Sequence, residues 1–217
     1  MIDLESYIRY PCELLSIPYW KNKNLTLPDN MRIVHHKDFN AEYLKEYHDE
    51  EYFRLFHSLR SNANQRGIIS VDIIPEWLYF KTVEKDDLPV VVSIINRSYD
   101  NLSVDILQMI SYTQTEVYDK DLWLIVYNKN DGTPIGCGIA DYDREVKEGI
   151  LEWIQVIPAY RRREVGTAIV NQLLYRLSSK ANFATVSGKV KSKTQPEKLY
   201  RKCGFVGNDI WHILRKL

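Results

Sequence analysis

The stretch Val156-Ile157-Pro158-Ala159-Tyr160-Arg161-Arg162-Arg163-Glu164-Val165-Gly166-Thr167-Ala168 decides how this chain is read. An apolar run ends at Pro158, a basic loop follows, and an amphipathic pattern begins near Gly166. A strand–loop–helix junction of this kind presents backbone N–H groups without helical partners, beside the positive end of a helix dipole. The guanidinium groups of Arg161, Arg162 and Arg163 add charge, and together these make an anion site suited to a pyrophosphate. An arginine triplet alone fits a solvated loop or a set of salt-bridge partners equally well. The surroundings have to decide.

Outward from that loop the pattern is regular. Ile150–Ile157 is a strand, and Gly166–Leu177 is an amphipathic helix with Ile169, Val170, Leu173, Leu174 and Leu177 on its apolar side. Ala184–Val190 follows as a strand, Pro196–Lys202 as a short helix, Cys203-Gly204 as a turn, and a last strand lies near Asp209–Leu214. Upstream, Leu78–Val83 is a strand and Glu84–Asp87 a polar turn. Pro89 opens a helix to about Arg97, and a second helix covers Val104–Glu116. Strands Leu122–Tyr127 and Pro134–Ala140 are joined by the hairpin turn Asp131-Gly132. Two helices, a β-meander and then β-helix-β-helix-β predict a mixed α/β fold, a central mixed sheet flanked by helices.

The first 76 residues are rich in aromatics: Tyr7, Tyr10, Tyr19, Trp20, Tyr43, Tyr47, Tyr52, Phe53 and Phe56. Such rings mostly serve burial. Met31–His36 reads as a short strand. Asp38 can cap a helix whose apolar positions Phe39, Tyr43, Tyr47, Phe56 and Leu59 roughly follow helical spacing. Pro75 marks a soft boundary, which divides the chain into an N-terminal aromatic-rich extension, 1–76, and a second domain, 77–217.

Composition narrows the function classes. Of 217 residues 45% are hydrophobic and 27% charged, an ordinary globular balance for one large domain or one domain with an extension. The 29 basic and 29 acidic residues cancel, so no global field recruits nucleic acid or an anionic membrane. Cys12, Cys137 and Cys203 show neither CxxC nor Cys/His ligand spacing, which predicts no structural disulfide, no metal site and a reducing compartment. The opening MIDLESYIRYPCELLS lacks an apolar run of signal-peptide length, and Val90–Ile95 is far too short to span a bilayer. A soluble, cytoplasmic protein is expected.

The loop resembles the acyl-CoA-binding motif of the GNAT acetyltransferase superfamily, roughly V-x-P-x-Y-[QR]-x-x-G-[ILV]-[GA], through Val156, Pro158, Tyr160, Arg161, Val165 and Gly166. The family's second signature, approximately L-Y-x-x-x-G-F, is matched by Leu199-Tyr200-Arg201-Lys202-Cys203-Gly204-Phe205. Both motifs lie in the expected order over about Trp77–Leu217. The resemblance implies an acetyl-CoA-dependent N-acetyltransferase without a metal, moving acetyl to a primary amine by direct attack in a ternary complex. It implies that the strand before the loop splays from its neighbour, with Ile154, Gln155 and Val156 pairing with the pantetheine arm. The amides of Arg161, Arg162, Arg163, Glu164, Val165, Gly166 and Thr167 would cradle the diphosphate. Tyr200 would donate a proton to the departing thiolate, work suited to a phenol that is neutral and protonated at physiological pH.

Three positions depart from the pattern. Glu164 stands where the family has its first loop Gly, and a carboxylate near a diphosphate is unfavourable unless it points to solvent. Lys193 and Pro196 replace the Asn and Ala frequent seven and four residues before the Tyr, and Gly188 stands where some relatives carry a basic Glu. Glu152 is the first candidate for the missing general base. It lies on the strand into the loop and by period two shares a face with Ile150, Ile154 and Val156. Asp141, Tyr142, Tyr112 and His212 are lesser candidates for the acceptor cleft. Cys203 is read as packing rather than nucleophile, and His35 and His36 as surface residues. The acceptor is a small-molecule or peptide amine. Residues 1–76 either shape the acceptor cleft or form a structural or dimer-forming addition. A CoA-binding module of the same fold without catalysis is the alternative, favoured by Glu164, Gly188 and Lys193.

Overall fold

The run Trp123–Asn128, WLIVYN, is apolar at successive positions, and Trp123, Leu124, Ile125 and Val126 are all buried. A strand buried on both faces needs layers on both sides. The computed structural model, which describes residues 28–59, 74–98 and 103–217, supplies them. Tyr7, Tyr10, Cys12, Tyr19 and Trp20 lie outside the described residues.

The strands are β1 (Met31–His35), β2 (Tyr47–Ser58), β3 (Leu78–Thr82), β4 (Trp123–Asn128), β5 (Pro134–Asp143), β6 (Glu148–Val156), β7 (Phe183–Lys189) and β8 (Val206–Lys216). The helices are α1 (Leu88–Ser98), α2 (Ile106–Tyr112), α3 (Val165–Leu177) and α4 (Pro196–Lys202). The fold is mixed α/β, one eight-stranded sheet in the order β1-β8-β2-β7-β6-β5-β4-β3. Every neighbouring pair is antiparallel except β6 and β7, which run parallel because α3 carries the chain back between them. No helix of the described residues is long and apolar enough to cross a membrane.

One face of β5 and β6 is pared down to receive α3. A Cβ on Gly138 would lie 2.4 Å from Ile169 Cγ2, and one on Gly149 2.4 Å from Leu177 Cδ1. The helix therefore lies close on the sheet, burying Val165, Ala168, Ile169, Val170, Leu173, Leu174 and Leu177. With that face occupied, α1, which also lies against β5 and β6, covers the other.

The N-terminal segment departs from its expected structure. Helical spacing from Asp38 predicts a helix through Tyr47 and Phe56, but only a short 3₁₀ turn, Ala41–Lys45, forms, and Asn40 rather than Asp38 caps it. Residues 47–58 form β2, inserted between β7 and β8 and antiparallel to both. Hydrogen-bond ladders on both edges, with Phe53 and Leu55 burying at period two, outweigh a loose helical pattern. Arg54 Nη2 reaches Glu148 Oε1 at 2.8 Å and Thr185 Oγ1 at 3.2 Å, a buried link across β2, β7 and β6. The boundary at residue 76 therefore separates segments of chain, while the sheet crosses it. The second predicted helix is shorter than expected, starting from Asp105, whose Oδ1 accepts the Gln108 N–H at 2.8 Å.

Candidate active site

Parallel pairing of β6 with β7 runs from Glu148 opposite Phe183 to Leu151 opposite Val186. Beyond that point the register stops, although β6 continues to Val156 and β7 to Lys189. Ile154, Gln155 and Val156 thus keep their β5 partners on one edge and part from β7 on the other. The splay expected of the strand before the loop is present.

At the end of β6 a 3₁₀ turn, Pro158–Tyr160, leads into the basic loop. Arg162 (φ 60°) and Glu164 (φ 61°) are left-handed, a conformation costing non-glycine residues about 1–2 kcal/mol each. The path turns the chain sharply into α3, whose hydrogen-bond ladder begins with Ala168 N–H donating to the Glu164 carbonyl at 2.9 Å. The preceding amides of Val165, Gly166 and Thr167 fall in the first turn, where a helix offers donors to an anion. Gly166 lets this turn approach α4, since a Cβ there would lie 3.1 Å from Leu199 Cδ2.

The three arginines have different tasks. Arg161 is a strap: Nε donates to the Val156 carbonyl at 3.1 Å and Nη2 to the Ser98 carbonyl at 2.7 Å, tying the loop to β6 and α1. The Arg163 guanidinium lies 5.3 Å over the Tyr160 ring, which stacks on Trp77 with centroids 6.3 Å apart. Arg162 is exposed at the left-handed position. Glu164 is 54% exposed, and its Oε2 accepts from Lys202 Nζ at 2.6 Å.

Tyr200 is buried on α4, its ring centroid 6.2 Å from Phe53 and 5.9 Å from Phe205. Phe53 also explains Gly188, where a Cβ would meet Phe53 Cζ at 2.5 Å. The position at which some relatives place a base is here roofed by an aromatic ring from β2.

Glu152 sits at a β-bulge. Leu151 faces Ala140 and Trp153 faces Ile139, so Glu152 is the extra residue between them. The bulge breaks the expected alternation. Gly149 touches α3, and so do Gly138 and Gly136, the β5 partners of Ile154 and Val156. Ile150, which alternates with Gly149, therefore lies on the opposite face from Ile154 and Val156, and Glu152 cannot share a face with all three. It is the first β6 residue beyond the pairing with β7.

The sequence model of the acetyltransferase (GNAT) domain matches residues 119–207, which hold β4 to β7, the loop, α3 and α4. The matched segment is a GNAT domain. Its fold is similar to that of a GCN5-related N-acetyltransferase from Sphaerobacter thermophilus, with a TM-score of 0.68 and 18% identity over 86% of this chain and 58% of that one. It is similar also to the ribosomal-protein-S18-alanine N-acetyltransferase from Escherichia coli, with a TM-score of 0.52 and 19% identity over 64% of this chain and 93% of that one. Ard1 from Thermoplasma volcanium gives 0.52 and 14% over 65% and 98%. This chain thus spans 58% of the length of the Sphaerobacter protein. No curated protein sequence matches it.

Other candidates are drawn elsewhere. The Tyr142 hydroxyl donates to the Lys180 carbonyl at 2.6 Å, just past the C-terminal end of α3 and away from the loop. Asp141, on the face opposite Tyr142, is buried opposite Ile150, and the Tyr112 hydroxyl accepts from Gln108 Nε2 at 3.3 Å. Cys203 is half-buried, and burial pushes its thiol up to about 11, so it stays protonated at neutral pH. His212 pairs with Asp49 at 2.9 Å and stacks on Phe39, with β2 and β7 standing between its strand and β6. His35, read as a surface residue, is buried with Nε2 3.3 Å from Asp209 Oδ1, whereas His36 is exposed. Sequence reasoning missed Phe53 and Lys202 as neighbours of the site. Lys202 lies inside the second motif, but its partner is 38 residues away.

Proposed function

We propose that this chain is an acetyl-CoA-dependent N-acetyltransferase acting on a primary amine by direct attack in a ternary complex. The observation that carries this reading is the parting of β6 from β7 beyond Leu151 and Val186, beside a left-handed loop that turns into the first turn of α3. These residues fit the co-substrate: a strand edge that has left β7 for an extended arm, then amides and guanidinium groups for a diphosphate. Ile154, Gln155 and Val156 would pair with the arm, and the loop from Arg161 to Thr167 would hold the diphosphate, with Arg161 fixing the loop's shape, since its side chain is committed to Val156 and Ser98 and its N–H to the Pro158 carbonyl at 3.3 Å.

Acetyl-CoA supplies an acetyl group activated as a thioester. A neutral amine forms the C–N bond as the C–S bond breaks, the amine proton passes to a base, and the thiolate takes a proton. Tyr200 is assigned the second proton transfer, its ring held between Phe53 and Phe205. Glu152, at the bulge where β6 leaves β7, is assigned the first. The reacting centre belongs to residues 77–217, with β1 and β2 of the first 76 residues completing the sheet. The acceptor is a small-molecule or peptide amine, met in the cytoplasm.

Thioester consumption measured against a panel of polyamines, amino acids and peptides tests the reading. Acetylated product from at least one amine is expected. A CoA-binding module without catalysis is favoured by Gly188 and Lys193, and tight CoA binding with no turnover on any amine would establish it instead.

A further inference from the structure

The loop carries an anion of its own. Glu164, at the N-cap of α3, is left-handed, a conformation a glycine would adopt without cost. Its carboxylate accepts from Lys202 Nζ at 2.6 Å. The group therefore stands at the start of the helix, beside the turn assigned to the diphosphate, and holds a lysine there. Lys202 lies on α4, two residues beyond Tyr200, so the contact also joins the loop to the helix that bears the proposed acid.

We propose that Glu164 is a built-in surrogate for the diphosphate, holding Lys202 in the ligand-free protein and yielding it to CoA on binding. The inference rests on the cofactor reading of the loop. Two anions cannot share one lysine and one helix terminus without repulsion, so the carboxylate must swing away as the diphosphate enters. Lys202, and after it Thr167, holds the Glu164 carboxyl below the usual carboxylate range, so it stays charged at neutral pH and the competition is always present. Affinity for CoA is thereby lower than the loop could give, and product CoA leaves more readily.

Calorimetric titration of the full chain with CoA tests this without any turnover. Glu164→Gln removes the charge and keeps a polar side chain, and it should tighten CoA binding about three- to fivefold, the scale of an exposed ion pair. Glu164→Gly carries the same expectation and also relieves the left-handed conformation, which covers a failure of the first variant to fold. Lys202→Ala should cost little in the wild-type background, where Lys202 must first leave Glu164, and about three- to fivefold in the Glu164→Gln background. Unchanged or weaker binding by both Glu164 variants, or an equal Lys202→Ala cost in both backgrounds, overturns the exchange while leaving the cofactor reading intact. No CoA binding by the wild type or any variant overturns the cofactor reading, and the exchange with it.

Discussion

The segment from β6 to α4 and the group of β1, β2 and β8 lie in one sheet but are specified differently. In the first, neighbours in sequence are neighbours in space: strand, loop, helix and strand follow one another, and both motifs sit at their ends. In the second, β2 pairs with β7 and β8, from Ser58 opposite Phe183 and Tyr47 opposite Lys216, across more than 120 residues of chain. The first region holds the groups that would do chemistry. The second closes over them, through Phe53 beside Tyr200 and Gly188, and through Arg54 beside Glu148. A site can thus be written in local motifs while its roof comes from a remote strand.

That contrast breaks most sharply at Arg54. The Arg54 and Glu148 side chains are 5% and 0% exposed, so Arg54→Ala leaves a buried carboxylate without its cation, at an expected cost of about 3–5 kcal/mol in denaturant unfolding. A loss under about 1 kcal/mol, the scale of an exposed ion pair, would mean that β2 is only appended to the sheet. Next is Tyr200→Phe, which keeps the ring between Phe53 and Phe205. Turnover should fall about a hundredfold or more, the scale of a lost general acid, with CoA affinity nearly unchanged. An equal loss in CoA affinity would make Tyr200 a packing residue, like its neighbours from β2.

The smallest effect is a pH dependence of the N-terminal region. Burial, opposed by Asp209, lowers the His35 pKa below its ordinary value. A depressed folded value stabilises the protein fully above the unfolded pKa of about 6.5, and that contribution is lost as pH falls from there toward the folded value. Burial lowers His57 likewise. The melting temperature should therefore drop between pH 7.5 and 5.5, and His35→Gln should show a smaller drop than wild type. Parallel curves for the two proteins would remove His35 from the effect.

Much of the half that holds the proposed site was legible. The positions of β3 to β8, α3 and α4, and the splay beside the loop agree with expectation because apolar periodicity and glycine and proline punctuation act over a few residues. The bulge at Glu152 was not legible. An extra residue in one strand is defined only by its partner, and the chemistry of Leu151-Glu152-Trp153 gives no sign of it. The helix expected from Asp38 failed for a related reason. Aromatics spaced loosely at three or four suit a helix alone, but two open strand edges, on β7 and β8, offered residues 47–58 a complete ladder.

By itself the chain determined its mixed α/β class, the basic loop at Arg161–Ala168 and its companion at Leu199–Phe205. Those features depend on contacts between near neighbours. Tertiary structure alone decided that β2 fills the gap between β7 and β8, that Phe53 occupies the space over Gly188, that Arg161 is a strap, and that Glu164 meets Lys202. Each of those joins residues that only the closed sheet brings together, and side-chain spacing along the chain carries no record of distance across it.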